Sequence, residues 1–322
     1  MGLIQSTISE SFPPKPHFKV EDIPDLTGKV AIVTGGNAGI GKATVKALLS
    51  RNARVYLAAR NKSKAEAAIA SLKQDTRCKD ENIVLLELDL ADLDSIERAA
   101  KEFRSKEGEL HMLFNNAGVM GPPNELLTVQ GYDLQFGTNV LGHFYLTKLL
   151  LPTLLSTAKS APEWKPRVVT TSSISSRMPF SPDFNTFKDS PARRRKFWIQ
   201  LYGQSKLANI MVSNEFAKRY GDEGLAFSSV NPGNIRTDLY QHTFASGLVK
   251  GLIGNIMLHP AHLGALTQLW AGASEEGGSM NGKYLVPWAR ISTPNPIALD
   301  EEGRKVLWEW LEEQVADRLS AQ

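Results

Sequence analysis

Apolar positions along this chain follow two periods in turn, that of a buried strand and that of an amphipathic helix. The run Val30–Val33 is apolar throughout, which is typical of a strand buried on both faces. Glycines follow at 35, 36, 39 and 41, and from Ile40 onward apolar residues recur at helical spacing. The stretch 29–42 is therefore predicted to be a strand that turns through glycines into a helix.

The alternation continues to the C-terminus. Strands are predicted at 54–60, 82–88, 110–114, 167–171, 225–230 and 283–286, and helices at 62–75, 92–106, 130–158, 199–220, 260–273 and 300–319. Regular alternation implies parallel strands joined by right-handed crossovers, which is the α/β class. We expect one doubly wound domain over 29–322. It is preceded by a proline-containing extension, 1–28, expected to be an irregular arm on the surface.

The glycine-rich turn gives the first chemical signal. Its spacing is G-x-x-x-G-x-G, and a strand that turns through glycines into a helix leaves backbone N–H groups free above the helix N-terminus. Those donors and the helix dipole favour a phosphate. Glycine-rich turns also occur as plain structural corners, so the prediction of a nucleotide site depends on the rest of the chain.

The end of the next strand bears on the choice of nucleotide. In dinucleotide units, an acidic residue about 20 positions after the glycines binds the ribose of NAD, whereas an arginine accommodates the 2′-phosphate of NADP. Here Ala59 and Arg60 hold that place, with Lys62 close behind. Lys62 is interpreted as a solvated helix start. Arg60 is predicted to bind the phosphate, so the expected cofactor is NADP(H).

Polar clusters follow most of the predicted strands. They are Gly35–Gly41, Arg60, Asp89, Asn115–Gly118, Ser172-Ser173 and Asn231–Asn234. Parallel sheets bind ligands beyond the carboxyl ends of their strands, so these clusters are expected to converge on one site. This convergence favours a nucleotide site more strongly than any single motif.

Tyr202 and Lys206 lie one helical turn apart and are expected to face the same cleft. A free tyrosine is a poor proton donor at neutral pH, and a neighbouring cation lowers its pKa toward that range. Taken alone, the Tyr-x-x-x-Lys spacing is commonplace on solvent-facing helices.

The motifs together, however, resemble one family. Thr34-Gly-x-x-x-Gly-Ile-Gly41, Asn115-Asn-Ala-Gly118, Asn139, Ser173 and Tyr202-x-x-x-Lys206 resemble, in order and over about 28–290, the short-chain dehydrogenase/reductase family. Within it the chain is most similar to the retinol-dehydrogenase-like, NADP(H)-dependent carbonyl reductases. The resemblance implies a single doubly wound (Rossmann) parallel sheet with helices on both faces.

The resemblance also implies a catalytic tetrad of Asn139, Ser173, Tyr202 and Lys206. Tyr202 would exchange a proton with the substrate oxygen, and Ser173 would stabilise the charge developing on that oxygen. Lys206 would lower the pKa of Tyr202 and bind the nicotinamide ribose. Asn139 would position Lys206 through a water. His143, one turn after Asn139, is interpreted as a packing residue.

The same resemblance assigns cofactor contacts along the sheet edge. Asp89 would contact the adenine amino group, Asn116 and Gly118 the ribose side, and Pro232, Gly233 and Thr237 the nicotinamide end. The full set of expected cofactor-binding residues is Gly35, Asn37, Gly39, Ile40, Gly41, Arg60, Asp89, Leu90, Asn116, Gly118, Tyr202, Lys206, Pro232, Gly233 and Thr237.

Two segments are candidates for the substrate border. Ser173 and Tyr202 are 29 residues apart, and the insertion at 178–198 between them carries aromatic residues and the basic run Arg193–Lys196. We expect it to border the substrate mouth. Two interpretations of its basic residues stay open: they form a solvated loop, or they form a surface that attracts an anionic substrate or a membrane. Segment 238–258 is apolar enough for a mobile cover, and equally for a helix packed on the core or on another subunit.

Composition narrows the class of protein. A net charge of +3 is too small to indicate nucleic-acid binding, and the single cysteine, Cys78, excludes an internal disulfide and fits a reducing compartment. Of the six histidines, only His259 and His262 approach a metal-ligand spacing, and a proline interrupts it. No metal is expected.

The N-terminus matches the myristoylation pattern M-G-x-x-x-[ST] at Met1–Ser6, a short pattern that also arises by chance. One acyl chain would give only reversible membrane attachment. No apolar run is long enough to span a bilayer, and a soluble, cytoplasmic protein is expected.

The sequence thus predicts an NADPH-dependent reductase of an apolar aldehyde or ketone. The alternatives are an NADP-dependent dehydrogenase of retinoid, steroid or fatty alcohols, and an idle cofactor-binding sensor or scaffold. A broken tetrad would indicate the last of these, and here the tetrad is complete. Substrate, direction and oligomeric state stay open at the level of sequence.

Overall fold

The computed structural model describes residues 3–236 and 258–320, with side chains described from Thr7 onward. Its centre is one sheet of eight strands in the order β3-β2-β1-β4-β5-β6-β7-β8. The strands are β1 Val30–Thr34, β2 Arg54–Ala59, β3 Ile83–Glu87, β4 Met112–Asn115, β5 Arg167–Thr171, β6 Ala226–Val230, β7 Lys283–Val286 and β8 Arg290–Ser292. The α/β class and the doubly wound parallel sheet predicted from the sequence are confirmed, with one antiparallel pair, β7 and β8, added at the edge.

Helices cover both faces of this sheet. They are α1 Leu3–Ser11, α2 Gly39–Leu49, α3 Lys62–Thr76, α4 Leu93–Lys106, α5 Leu134–Phe136, α6 Gly142–Ser160, α7 Pro191–Arg194, α8 Trp198–Tyr220, α9 Ala261–Ala273 and α10 Glu301–Ser320. The core is divided accordingly. Along β1, Val30 and Ile32 pack with α4, α6, α8 and α10, while Ala31 and Val33 pack with α2, α3 and α9. This division follows from the period of two along a strand.

Three elements differ from the sequence prediction. The extension is not irregular throughout, because Leu3–Ser11 form a helix. The helix expected at 130–158 is interrupted: Gly137–Leu141 form a π-helical turn between α5 and α6. Strand β8 was not predicted, since three residues carry too little periodicity to be recognised.

The insertion at 178–198 is anchored to the core. Phe187 is fully buried and stacks on Phe136 at 3.6 Å between ring centroids, and Trp310 of α10 packs edge-on against both. A short helix and turns, not an extended strand or a long helix, make up the segment. Thr237 and the predicted cover at 238–258 lie outside the described residues, apart from Leu258.

Candidate active site

The predicted site residues come together because parallel strands end at one edge of the sheet. Thr34 ends β1, Ala59 ends β2, Asn115 ends β4, Thr171 ends β5 and Val230 ends β6. Pairing of β1 with β2 and β4, and of β5 with β4 and β6, places these ends side by side. The loops that follow them carry the glycine turn, Arg60, the Asn115–Gly118 segment, Ser173 and Pro232-Gly233.

The glycine turn is shaped by positions that admit no side chain. Gly35 and Gly39 have φ values of +67° and +51°, a left-handed conformation that favours glycine. A Cβ on Gly41 would lie 2.3 Å from the Gly35 carbonyl oxygen, and one on Gly36 would lie 2.9 Å from Leu57. The turn is therefore folded back on itself tightly, and its residues are partly or fully buried.

No side chain caps the N-terminus of α2. Its N-cap residue is Ala38, which offers no oxygen, whereas Asn61 caps α3 and Asp92 caps α4 through their side chains. The amides of the first turn of α2 thus keep their hydrogen-bonding capacity for an external acceptor. A phosphate group suits these donors and the positive end of the helix dipole.

A buried hydrogen-bond network holds the loop after β4 against the end of β1. The Thr34 hydroxyl accepts bonds from the backbone N–H groups of Asn116 and Ala117, both at 2.9 Å. The Asn116 side-chain amide returns a bond to the Thr34 carbonyl at 2.8 Å. In this structure the Asn116 side chain therefore holds the loop in place. Its Oδ1 also accepts from Nε2 of Gln268 in α9 at 3.4 Å.

His143 is buried, in keeping with its interpretation as a packing residue, and it also hydrogen-bonds to this network. Its Nδ1 lies 3.0 Å from the Asn139 carbonyl and its Nε2 lies 2.9 Å from the Thr34 hydroxyl. Because a carbonyl only accepts, Nδ1 carries the proton and Nε2 accepts from Thr34. Burial lowers the pKa of His143 to about 4, so the ring is neutral at pH 7.

Asn139 lies in the π-helical turn, and its side chain holds the loop after β4. Its Oδ1 accepts from the Val119 N–H at 2.9 Å, and its Nδ2 donates to the Val119 carbonyl and to Ser205. All of these partners belong to the protein backbone or to a structural serine. The expected role of Asn139 in positioning Lys206 through a water stays a prediction.

Lys206 is buried at the centre of the site, with only 3% of its surface exposed. Its ammonium donates to the Thr171 carbonyl at 2.9 Å and lies 5.8 Å from the centroid of the Tyr202 ring. Burial lowers the pKa of Lys206 to about 7. An oxygen atom or a negative charge placed beside the ammonium would therefore stabilise its charged form and raise this pKa.

Gly118 leaves space between the two predicted catalytic groups. A Cβ there would lie 3.1 Å from Asn139 Oδ1 and 3.4 Å from Lys206 Nζ. Any larger residue at this position would fill the surface next to the ammonium. A sugar hydroxyl could use that surface, which is why the position suits the ribose side of a nucleotide.

Ser173 opens a tight turn beside Tyr202. Its hydroxyl accepts from the Ser175 N–H at 3.2 Å, which leaves the hydroxyl proton available for donation. The turn approaches α8 closely, since a Cβ on Gly203 would lie 3.3 Å from the Ser175 carbonyl. Gly203 thus brings the serine turn to the residue that follows Tyr202. Ser172 instead donates to the Lys206 carbonyl at 2.6 Å.

The loop after β6 is held by Asn231. Its Oδ1 accepts from the Gly233 N–H at 3.0 Å, and Gly233 has a φ of +85° against Pro287 and Trp288. The side chain of Asn231 is fully buried and also meets Glu10 of the N-terminal helix. Sequence reasoning placed Pro232-Gly233 in the site but missed the contacts with Glu10, Pro287 and Trp288, because these residues lie more than 50 positions away in the chain.

Three predicted cofactor residues follow β2 and β3 at this edge, and a fourth, Asn37, follows β1. Arg60 is exposed, and within the described part of the chain its guanidinium has neither a hydrogen bond nor an ion pair. Lys62 instead pairs with Glu87 at 3.4 Å. Asp89 accepts from the Ala91 N–H, and Leu90 is buried against Gly142. Asn37 lies half-buried in the glycine turn.

The basic run of the insertion is largely neutralised. Arg193 is buried and pairs with Asp133 at 3.0 Å, Arg194 pairs with Asp189, and Lys196 pairs with Asp183 at 3.3 Å. The interpretation of this run as a solvated loop is wrong for Arg193, which ties the insertion to α5. A cavity of about 440 Å³ lies between the insertion and the start of α8, lined by residues that include Phe180, Phe184, Lys196 and Gln204.

No helix in 3–236 or 258–320 is both long and apolar enough to cross a bilayer. Within the same residues, no three histidine, cysteine or acidic side chains are arranged to hold a metal ion.

A strand, a glycine turn, an uncapped helix and a buried Tyr-Lys pair at one sheet edge define a nicotinamide-dinucleotide oxidoreductase. Comparisons with known proteins agree. The family model described as short chain dehydrogenase matches residues 29–183. A short-chain dehydrogenase/reductase of Armillaria gallica is 54% identical over 319 residues, which is 98% of this chain and 100% of the relative. One from Phomopsis amygdali is 38% identical and covers 97% of both chains.

Among solved structures, an uncharacterized protein from Mycobacterium paratuberculosis superposes with a TM-score of 0.71 and 28% identity, covering 92% of this chain and 96% of its own. The chain belongs to the short-chain dehydrogenase/reductase family, and it is an NAD(P)-dependent oxidoreductase. The residues present suit such a cofactor, since the glycine turn and Gly118 leave open the surfaces that a Cβ would fill.

Proposed function

We propose that this protein reduces an apolar aldehyde or ketone to the alcohol, with NADPH as the hydride donor. The observation that carries the proposal is the burial of Lys206 beside the Tyr202 ring, with the Ser173 turn packed against the same segment of α8. A phenol, an ammonium and a serine hydroxyl in that arrangement suit proton transfer to a carbonyl oxygen.

Each residue has a distinct part in the proposed reaction. The bound cofactor supplies a hydride and its ribose hydroxyls. The Ser173 hydroxyl donates a hydrogen bond to the substrate oxygen and stabilises the negative charge that develops there. Tyr202 gives its phenolic proton to that oxygen, and the Lys206 ammonium stabilises the phenolate that remains. In the opposite direction Tyr202 accepts the proton from an alcohol.

The preference for NADPH rests on Arg60. Its guanidinium is exposed beside the glycine turn and keeps its donors free of protein partners within the described residues. Asp89, the acidic residue that follows the next strand, already accepts from a backbone N–H. The planar, charged guanidinium of an arginine in this place matches a doubly charged 2′-phosphate better than the ribose hydroxyl of NADH.

The apolar character of the substrate is supported by the side chains around the serine turn. Phe180 and Met178 lie 3.2 and 3.8 Å from the position of a Cβ on Gly203, next to Tyr202. These residues belong to the insertion that we expect to border the substrate mouth. An apolar wall excludes water from hydride transfer and strengthens the charge interactions at the substrate oxygen.

Initial-rate measurements test this function. The protein would be assayed with NADPH and with NADH over a panel of apolar aldehydes, ketones and quinones, and in reverse with NADP⁺ and the matching alcohols. We expect turnover of at least one apolar carbonyl compound, with a higher kcat/KM for NADPH. Tight NADPH binding without turnover of any carbonyl or alcohol would instead favour a cofactor-binding sensor or scaffold.

A further inference from the structure

The N-terminal helix α1 is attached to the protein in an unusual way. Ile8 in this helix is 57% exposed and Phe12 just after it is 65% exposed, whereas Glu10 is 2% exposed. An ordinary surface helix buries its apolar residues and exposes its charges. Among the residues of α1 whose side chains are described, Ser9 and Glu10 hold the helix to the rest of the protein through polar contacts.

Glu10 meets partners from three separate parts of the chain. Its Oε1 accepts from Arg177, with Nε at 2.7 Å and Nη2 closer still. Its Oε2 accepts from Asn231 Nδ2 at 2.8 Å and lies 3.4 Å from the Tyr284 hydroxyl. A buried carboxylate is tolerated only when it is paired and hydrogen-bonded in this way.

Two of these partners, Arg177 and Asn231, belong to segments of the candidate active site. Arg177 ends the short turn that Ser173 begins, and its guanidinium also donates to the Thr293 carbonyl at 2.9 Å. Asn231 uses its other amide atom to hold the Gly233 N–H at 3.0 Å. One carboxylate therefore connects the serine turn with the loop predicted to lie at the nicotinamide end.

A second contact fixes the same helix. The Arg290 guanidinium donates to the Ser9 hydroxyl at 3.0 Å and to the Ser9 carbonyl at 2.9 Å. Arg290 begins β8, the strand at the edge of the sheet. The helix is thus bound to β8 on one side while Glu10 reaches the serine turn on the other.

We propose that Glu10 is a positioning residue, which holds the Ser173 turn and the Pro232-Gly233 loop at the separation that the reaction needs. Glu10, which precedes the stretch matched by the family model, then supports the active site. The inference deepens the proposed function and rests on it for the roles of Ser173 and Gly233. It predicts that losing the carboxylate harms the substrate and nicotinamide end and spares the adenosine end.

The test compares Glu10→Gln with the wild type in the full-length protein. Glutamine keeps the size of the side chain but removes the charge and places an N–H₂ donor against the donors of Arg177 or Asn231. We expect kcat for carbonyl reduction to fall about 10-fold or more, as for other displacements of reacting groups. The dissociation constant for 2′,5′-ADP, which probes only the adenosine end, should stay within about twofold of the wild type.

A second readout does not need turnover. The ratio of the dissociation constant for NADPH to that for 2′,5′-ADP should rise in Glu10→Gln, because the nicotinamide end is less well formed. This ratio separates the inference from the proposed function: a protein that reduces no carbonyl compound can still show it. Glu21→Gln, an exposed change in the same N-terminal extension, is the matched control and should leave kcat and both constants unchanged.

The double variant Glu10→Gln/Arg177→Met covers the case in which Glu10→Gln folds poorly. It removes both members of the buried ion pair, the carboxylate of Glu10 and the guanidinium of Arg177, so that no unpaired buried charge is left. It should fold and still show the fall in kcat with normal 2′,5′-ADP binding. An unchanged kcat and an unchanged ratio in a folded variant would overturn the inference. Equal losses for NADPH, 2′,5′-ADP and stability would do so too, because they would indicate a general structural role.

Discussion

The hydroxyl oxygen of Thr34 lies 2.9 Å from Nε2 of His143, and this contact joins the strand before the glycine turn to α6, the helix that follows the π-helical turn with Asn139. Thr34 donates to the ring and accepts from the N–H groups of Asn116 and Ala117. A single hydroxyl thus connects the predicted phosphate side of the site with the predicted catalytic side.

Thr34→Val should break this connection. Valine has nearly the same shape but leaves two partly buried N–H groups and the buried His143 ring nitrogen without the Thr34 hydroxyl as partner. We expect a loss of about 1–3 kcal/mol in the free energy of unfolding, measured by denaturant titration. Thr34→Ser keeps the hydroxyl and is the control. A valine variant as stable as the serine variant would show that the network contributes little.

Arg60→Asp should weaken NADPH binding selectively. Losing charge-assisted bonds to the 2′-phosphate and adding a repelling carboxylate should raise the dissociation constant for NADPH about 10- to 100-fold. NADH should be affected far less. Lys62→Asp is the matched control, since Lys62 already pairs with Glu87 and lies two residues away. Equal losses for both cofactors would show that Arg60 does not read the phosphate.

Gly118→Ala should hinder cofactor binding without unfolding the protein. The added methyl group would lie 3.1 Å from Asn139 Oδ1 and 3.4 Å from Lys206 Nζ, on the surface predicted to meet the ribose. We expect about a tenfold weaker affinity for NADPH, measured by fluorescence titration. In Gly108→Ala the new methyl group has no neighbour within 4 Å, so this variant should bind normally. Wild-type affinity in Gly118→Ala would place the ribose elsewhere.

Lys206 should make stability depend on pH in the absence of cofactor. Its pKa is lowered from 10.5 to about 7 in the folded protein, so between these values the unfolded chain binds more protons. Stability therefore rises with pH across that window. From pH 7 to 9, the rise in the free energy of unfolding should be smaller in Lys206→Met by on the order of 1–3 kcal/mol. Exposed Lys101→Met is the control; the same pH dependence in both variants would contradict the burial argument.

Much of the fold follows from local patterns in the sequence. The run Val30–Val33, the glycines after it and the alternation beyond are sufficient for a doubly wound sheet, because buried parallel strands and amphipathic helices leave distinct periods. The proximity of Tyr202 and Lys206 is also predictable from the sequence, since the two residues lie one turn apart in the same helix. Patterns within one element, or at the end of one strand, carry this information.

The supports of the site were not predictable in the same way. Glu10 meets Arg177 and Asn231 across 167 and 221 positions of the chain, and neither end carries a local pattern. The π-helical turn at Gly137–Leu141 was missed because its apolar spacing continues that of α6. The hydrogen bonds of His143 to Thr34 and Asn139 were not predictable from spacing, because they depend on how the ring is buried in the fold. Such roles depend on long-range contacts that periodicity does not contain.

Single-turnover reduction by Tyr202→Phe tests the central claim most directly. The variant would be loaded with NADPH, mixed with the best carbonyl substrate found for the wild type, and followed by the loss of nicotinamide absorbance. We expect NADPH to bind as in the wild type and the rate of reduction to fall about 10²- to 10⁴-fold, because only the proton donor is gone. A Tyr202→Phe protein that reduces the substrate at the wild-type rate would contradict the account.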